Sequence, residues 1–426
     1  MQYFFSYYPG EQSITIPDKN LIGHFGPIVL PTGDRERLLN EAFEHPVTGD
    51  TLKVIAKPDD NVLIVVDDVL EPTPVVFPFF HVIRDLHAAG VKDANISVLI
   101  SNANHRASTG AEIDRKIGQE MHKKYKVFQS SGDSTDSMHE FGTVQTDVGM
   151  LSATANGHLI NATLIVSVSG AYPNRFKGIS GSGSLIFPGL ASEQTAGSIT
   201  LRGAEKPSAE VFGMIETPAR HAITRLLDLL PAYKFSVDII LDRKLQIAAC
   251  ITGDPRTAYK VSGDTANRIY KTAIPEMADI VVIDSQPFDH NLLQAAHALY
   301  AALPMLKPRG EIVLISPLLE ALPAKLSALA PNLEDTRNAI IQHTHQGSLH
   351  RTTAASSQLI AIAEVLEHVR QVSVVSHGPG RVDVAKYGFA LRDTPQAALN
   401  EALERVGESA RVILITSGGL VIPQLQ

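Results

Sequence analysis

The sequence predicts an α/β protein of two domains, with mainly parallel sheets and flanking helices. Three observations carry that prediction. Short apolar runs rich in β-branched residues recur along the 426-residue chain, each with the length of a strand buried on both faces. Segments of helical periodicity separate them, and this alternation is the pattern of parallel sheets covered by helices. The length suits two domains, and a composition of 44% hydrophobic and 19% charged residues supplies two sizeable cores.

In chain order, the runs at 62–66, 96–100, 164–168, 280–283, 311–315, 372–375 and 412–415 read as strands. Helical spacing of apolar residues predicts helices over 78–89, 111–124, 255–270, 292–306, 359–369 and 395–406. Residues 235–241 and 245–252 flank the charged turn Asp242-Arg243-Lys244 and read as a β-hairpin. Beyond 272–277 a fresh strand–helix series begins, so one domain is expected at 1–272 and a second at 273–405.

Composition excludes several function classes. A net charge of −8 argues against non-specific nucleic-acid binding, which needs basic surface to neutralise phosphates. The segment Met1–Tyr8 lacks the basic and apolar regions of a signal peptide, and no apolar run reaches the roughly 20 residues that span a bilayer. The expectation is a cytoplasmic protein without membrane partners. The single cysteine, Cys250, rules out an internal disulfide framework, and its apolar neighbours predict a buried thiol. His81, His87, His139, His343, His345 and His350 have no zinc-motif spacing, so no metal site is predicted from them.

Chemistry-bearing residues cluster at strand ends, where open α/β sheets place ligands. Asp68 and Glu71 follow the strand at 62–66, within a segment stiffened by Pro72 and Pro74; Asp68 suits either a turn cap or a pocket position. His105 and Arg106 follow the strand at 96–100. Histidine titrates near neutrality and suits proton transfer, while Ser108 or Thr109 suits a helix cap. After the strand at 164–168 come Asn174 and two cations, Arg175 and Lys177, placed to bind an anion or to face solvent. Next, Ser180-Gly181-Ser182-Gly183-Ser184 alternates glycine with hydroxyl residues, either exposing N–H groups to an anion or packing as a close turn. In the second domain, Asp289, Gln294 and His297 mark the start of a helix, with Gln294 and His297 on one face and Asp289 as a candidate cap.

These motifs resemble those of the nickel-dependent lactate racemases. The likeness rests on Gly178, Ser180, Gly181, Pro188, Gly189, Ala191 and Ser192, on Asp68, Pro72 and Pro74, on His105, Arg106 and Thr109, and on Asp289, Asn291 and Gln294. It spans about residues 60–423. It implies an interdomain cleft and a last strand, within 406–426, returning to the first domain. It also implies a site in which His105 is an acid/base and Asp68, Glu71, Asn174, Gln294 and His297 face substrate, with Gly181, Ser182, Gly183 and Ser184 facing a cofactor. The family attaches a nickel pincer nucleotide to a lysine and ligates the nickel with a histidine. Ungapped matching puts Ser184 and Thr200 at those positions, and Glu71, Asn174 and His297 where an arginine, a second catalytic histidine and a lysine are expected.

The cofactor is therefore left unassigned, and three readings follow. The first is an enzyme, of isomerase type, acting on a small anionic 2-hydroxy acid or sugar acid without a tethered pincer; His105 would move the proton and Arg106 anchor the anion. The second is a racemase or epimerase whose pincer is attached elsewhere, Lys177 being a candidate. The third is a non-catalytic small-molecule binding protein. Oligomeric state is not legible in the sequence.

Overall fold

Val62–Asp67 alternates its side chains between two hydrophobic cores: Val62, Ile64 and Val66 enter one, Leu63 and Val65 the other. A strand covered on both faces must be apolar throughout, which explains its unbroken apolar run. In this computed structural model it lies inside a six-stranded sheet ordered Ile247–Gly253, Tyr233–Leu241, Leu164–Gly170, Val62–Asp67, Ile96–Ala103, Lys126–Ser131. All neighbours are parallel except the first pair, the expected hairpin. The structure describes every residue except 8, 31–32, 104, 132–136, 147–148, 328–335 and 347–352, so His350 lies outside the described residues.

A second six-stranded sheet, parallel throughout, runs Ala390–Arg392, Gln371–Val375, Leu306–Ile315, Ala278–Asp284, Val412–Ile415, Leu21–Phe25. Here the chain departs from the expected boundaries. Val412–Ile415 does not return to the first domain but sits beside Ala278–Asp284. The amino-terminal strand Leu21–Phe25 joins this sheet rather than the first. The hairpin of Gln2–Tyr7 and Gly10–Thr15 comes with it, burying Phe5, Tyr7, Ile14 and Ile16 against Ile280, Val282 and Leu414. Pairing of distant segments is decided by which apolar face remains uncovered, and chain order does not encode that. Beyond it, Ile422–Leu425 pairs with Lys271–Ile274, so both chain ends belong with the second lobe or its junction.

Helices fill the crossovers. Pro255–Tyr270 forms as expected, with Asp254 accepting from the Arg256 N–H at 2.9 Å. The helix expected over 111–124 is two pieces, Gly110–Ile117 and Gln119–Lys124, broken at Gly118, whose φ of 92° is left-handed. Leu292–Ala302 ends before Pro304, and a 3₁₀ turn at Leu303–Met305 leads into Leu306–Ile315. Helices Glu193–Ala204 and Thr353–His368 pack together and join the lobes. Cys250 is buried, and burial pushes its thiol well above the ordinary range. Among the described residues no helix is long and apolar enough to cross a membrane.

Candidate active site

The site starts at the carboxyl ends of two adjacent strands. Asp67 and Asp68 end the strand Val62–Asp67, and His105 follows Ile96–Ala103, its parallel neighbour. The His105 Nδ1–H donates to Asp68 Oδ2 at 2.9 Å, and Asp68 Oδ1 accepts from the Leu70 N–H at 3.0 Å. Asp68 thus accepts a hydrogen bond within its own turn and holds the imidazole. Asp68 is 1% exposed, whereas the His105 side chain is 24% exposed and opens on a cavity. Burial alone would lower the His105 pKa; the facing carboxylates of Asp68, Glu71 and Glu320 outweigh it and raise the pKa above the ordinary value.

The second lobe supplies the other partner. Gln294 Nε2 lies 3.0 Å from His105 Nε2. Its helix, Leu292–Ala302, is capped by Asn291, whose Oδ1 accepts from the Leu293 and Gln294 N–H groups at 3.1 Å each. The cap is therefore Asn291 and not Asp289, because the helix begins at Leu292, as its periodicity suggests, and the capping residue is the one immediately before it. Gln294 Oε1 is buried without a partner. When His105 is protonated on Nε2, a half-turn of the amide brings this oxygen round to accept that proton.

Around this chain lie groups with displaced pKa values. Burial pushes Asp67 up to about 7 against the pull of Lys116, its ion-pair partner at 2.7 Å. Thr73 bridges Asp67 to the Tyr172 hydroxyl. Glu71 is also raised, chiefly by burial. His297 is pushed down to about 4 by burial and then by the charge of Lys177, and it stacks on Phe288 with ring centres 4.6 Å apart. It is a neutral imidazole near pH 7.

Two adjoining cavities receive these groups, an outer one of about 480 Å³ and an inner recess of about 100 Å³. Glu71, His105, Asn174, Lys177 and His297 line both. Asp68 and Ser184 face the recess, while Arg106, Thr200 and Gln294 face the outer cavity together with Glu320 of the second lobe.

Several expected roles change. Arg106 is not a free anion anchor: Glu112 holds it at 2.7 and 2.9 Å, and Glu320 grips it across the cleft, Nε to Oε2 at 2.9 Å. Arg175 is fully buried and bound to Glu364 at 2.6 Å, so neither a surface role nor anion binding fits it. Asn174 Oδ1 accepts from the Phe176 and Lys177 N–H groups, both at 3.0 Å, a local turn contact. The loop Gly181–Ser182–Gly183 does not present its N–H groups to the cavity. Gly181 N–H donates to Ser184 Oγ at 3.0 Å and Ser182 N–H to buried Asp238 at 2.8 Å, while Gly183 packs on Leu227. This is the close-turn alternative. Ser180 and Ser184, the two ends of that segment, line the smaller cavity.

Sequence reasoning missed Asp67, Lys116 and Glu320. Glu320 carried a usable signal, since it lies just beyond the strand Leu306–Ile315. Lys116 carried none, because a helical lysine ordinarily reads as solvated. Thr109 does cap its helix, in a capping box with Glu112. Glu112 thereby ties the helix start to Arg106.

The Arg106 clamp makes a pH prediction. Glu112 is lowered to about 2, first by its bonds to Arg106, and Glu320 to about 2, first by His290 and then by Arg106. A carboxylate whose folded pKa is depressed stabilises the fold above its unfolded pKa, and that contribution is lost as pH falls through the folded pKa. The clamp therefore weakens between about pH 4.5 and 2. Glu320→Gln is expected to flatten the fall of Tm across that window; an unchanged slope in thermal melts would remove the clamp from the account.

A two-domain α/β protein with an ionisable cleft between its lobes is the class these features define. Residues 7–199 match the family profile of the lactate racemase N-terminal domain. The lactate racemase of Lactiplantibacillus plantarum is 22% identical over 400 residues, covering 91% of each chain. That of Thermoanaerobacterium thermosaccharolyticum is 24% identical over 286 residues, 66% of this chain and 65% of the relative. The lactate racemase apoprotein structure from the latter organism superposes with a TM-score of 0.85 at 19% identity, covering both chains fully. A Thermotoga maritima protein structure superposes with a TM-score of 0.71 at 14% identity, over 88% of this chain and 96% of that one. Its amino-terminal part thus matches the lactate racemase N-terminal domain, and the chain is similar to lactate racemases over most of its length.

The nickel pincer that the resemblance implies does not fit the residues at its assigned positions. Ser184 has no amine, and its hydroxyl is engaged by Gly181. The Thr200 hydroxyl bonds Ala196 O at 3.1 Å and Ser357 Oγ at 3.0 Å, and an alcohol is a poor nickel ligand beside imidazole. Among the described residues no three or more His, Cys, Asp or Glu side chains are grouped to hold a metal ion.

Proposed function

We propose that this chain is an enzyme acting on a small hydroxy acid or sugar acid between its two lobes, as an isomerase (racemase or epimerase) without a tethered nickel pincer. The supporting observation is the hydrogen-bonded series Asp68–His105–Gln294, contributed by both lobes and opening on the shared cavities. A histidine held by a buried carboxylate at one ring nitrogen and by a neutral amide at the other, with its ring on a cavity, can give and take a proton where a ligand displaces the amide. The carboxylates of Asp68, Glu71 and Glu320 raise the His105 pKa above the ordinary value and so favour the protonated, proton-donating form.

A second reading, a binding protein without turnover, is favoured by Asn174. An amide cannot abstract a proton, and its oxygen is already occupied by two N–H groups. Incubation with D- and L-lactate, glycerate and gluconate in D₂O separates the readings. Loss of the Cα–H signal by NMR, or inversion by chiral chromatography, is expected for the enzyme. Binding with neither change would leave the binding protein. Stoichiometric nickel in protein from a nickel-supplemented host that makes the pincer would overturn the tether-free reading.

A further inference from the structure

Among the described residues, Lys177 is the cation of this cleft left without a partner. Arg106 is held by Glu112 and Glu320, Lys116 by Asp67, and His105 by Asp68. The Lys177 ammonium makes no hydrogen bond or ion pair with any described residue, although it lines both the outer cavity and the recess. Glu71, the nearest carboxylate in charge terms, is felt but forms no ion pair with it. Its neighbour Arg175, by contrast, is fully buried and paired. A mostly enclosed ammonium without a counter-ion is unfavourable, and a bound anion relieves it.

We propose that Lys177 anchors the carboxylate of the ligand, and that the ligand is a short hydroxy acid with its carboxylate in the inner recess. This rests on the hydroxy-acid reading given above. The assignment replaces Arg106 in the role of anion anchor. The recess, about 100 Å³, admits a carboxylate on a short stem, given that one water needs on the order of 10–15 Å³ of such space. Glu71 and His105 line the same recess, together with Asp67 and Asp68. Burial lowers the Lys177 pKa, Glu71 opposing and Arg220 adding to the effect, so a ligand carboxylate also restores the amine's protonated form.

Calorimetric titration with lactate and glycerate, each beside its uncharged amide, tests this, with chloride and phosphate as controls. The acids are expected to bind at least about tenfold more tightly than the amides, the charge-assisted contact being the difference. Lys177→Met is expected to erase most of that gap, with circular dichroism and thermal melts reporting an intact fold; Lys177→Arg should restore part of it. A gap that persists in Lys177→Met overturns the proposal, as does wild-type protein that prefers no acid over its amide. Chloride or phosphate competing as well as the acids would overturn the hydroxy-acid assignment. The D₂O measurement fails separately: acids held through Lys177 without exchange would sink the enzymatic reading and leave the anchor standing.

Discussion

His105→Asn is expected to lower turnover of the cleft's substrate by about 10²- to 10⁴-fold, the usual worth of a positioned acid/base, with little change in ligand affinity. Asparagine keeps a hydrogen-bond donor toward Asp68 but has no titratable nitrogen. Asp68→Asn tests the other half of the pair. It removes the charge that, against burial, raises the histidine pKa, so the limb of the pH–rate profile assigned to His105 should move to lower pH. The sign follows from linkage. A histidine whose folded pKa is raised contributes stability that is complete below its unfolded value, near 6.5, and is lost as pH rises through the folded one. Wild-type Tm should therefore fall across that window more steeply than Tm of His105→Asn. If kcat survives His105→Asn within a few-fold, the proposed acid/base is wrong.

Arg175→Met is expected to destabilise the protein by about 3–5 kcal/mol, because it strands a buried carboxylate. Arg175 follows the first sheet's strand Leu164–Gly170, and Glu364 lies on Thr353–His368 of the second lobe, so the pair fastens one lobe to the other. Glu364 Oε1 also accepts from the Ser208 N–H at 2.6 Å, while the guanidinium donates to Gly203 O at 2.9 Å and Lys206 O at 2.8 Å. Those carbonyls lose a donor as well. The double variant Arg175→Met/Glu364→Leu should regain much of the loss in urea melts, since no lone charge remains. A double variant as unstable as the single one would show that the carbonyl bonds, rather than the ion pair, carry the effect.

The strands were legible because burial on both faces demands apolar runs, and Val62–Asp67 or Ala278–Asp284 tolerates little else. Leu21–Phe25 was not legible. At the sheet edge it has one neighbour and no fully buried residue, so Gly23 and His24 are permitted and the apolar signature disappears. Legibility of the site divides in the same way. His105, Asp68, Glu71 and Lys177 sit beside strand ends or in motif positions, and the structure brings them together. The glycine–serine segment was ambiguous between loop and turn, and Asp238, 56 residues away along the chain, decides it by taking the Ser182 N–H.

By itself the amino-acid sequence determined that this is a two-domain α/β chain, where the buried strands of its two large sheets lie, and that Ser184 and Thr200 stand at the positions the resemblance gives to a lysine and a histidine. Only the tertiary structure decided which charges are spent and which are free. Arg106, Arg175 and Lys177 are alike in sequence as cations next to a motif, yet Glu320 and Glu364 from the second lobe pair with two of them and no described residue pairs with the third. The physical reason is that an ionic group's role is set by what lies within a few ångströms of it. For these residues that is a segment some two hundred positions further along the chain.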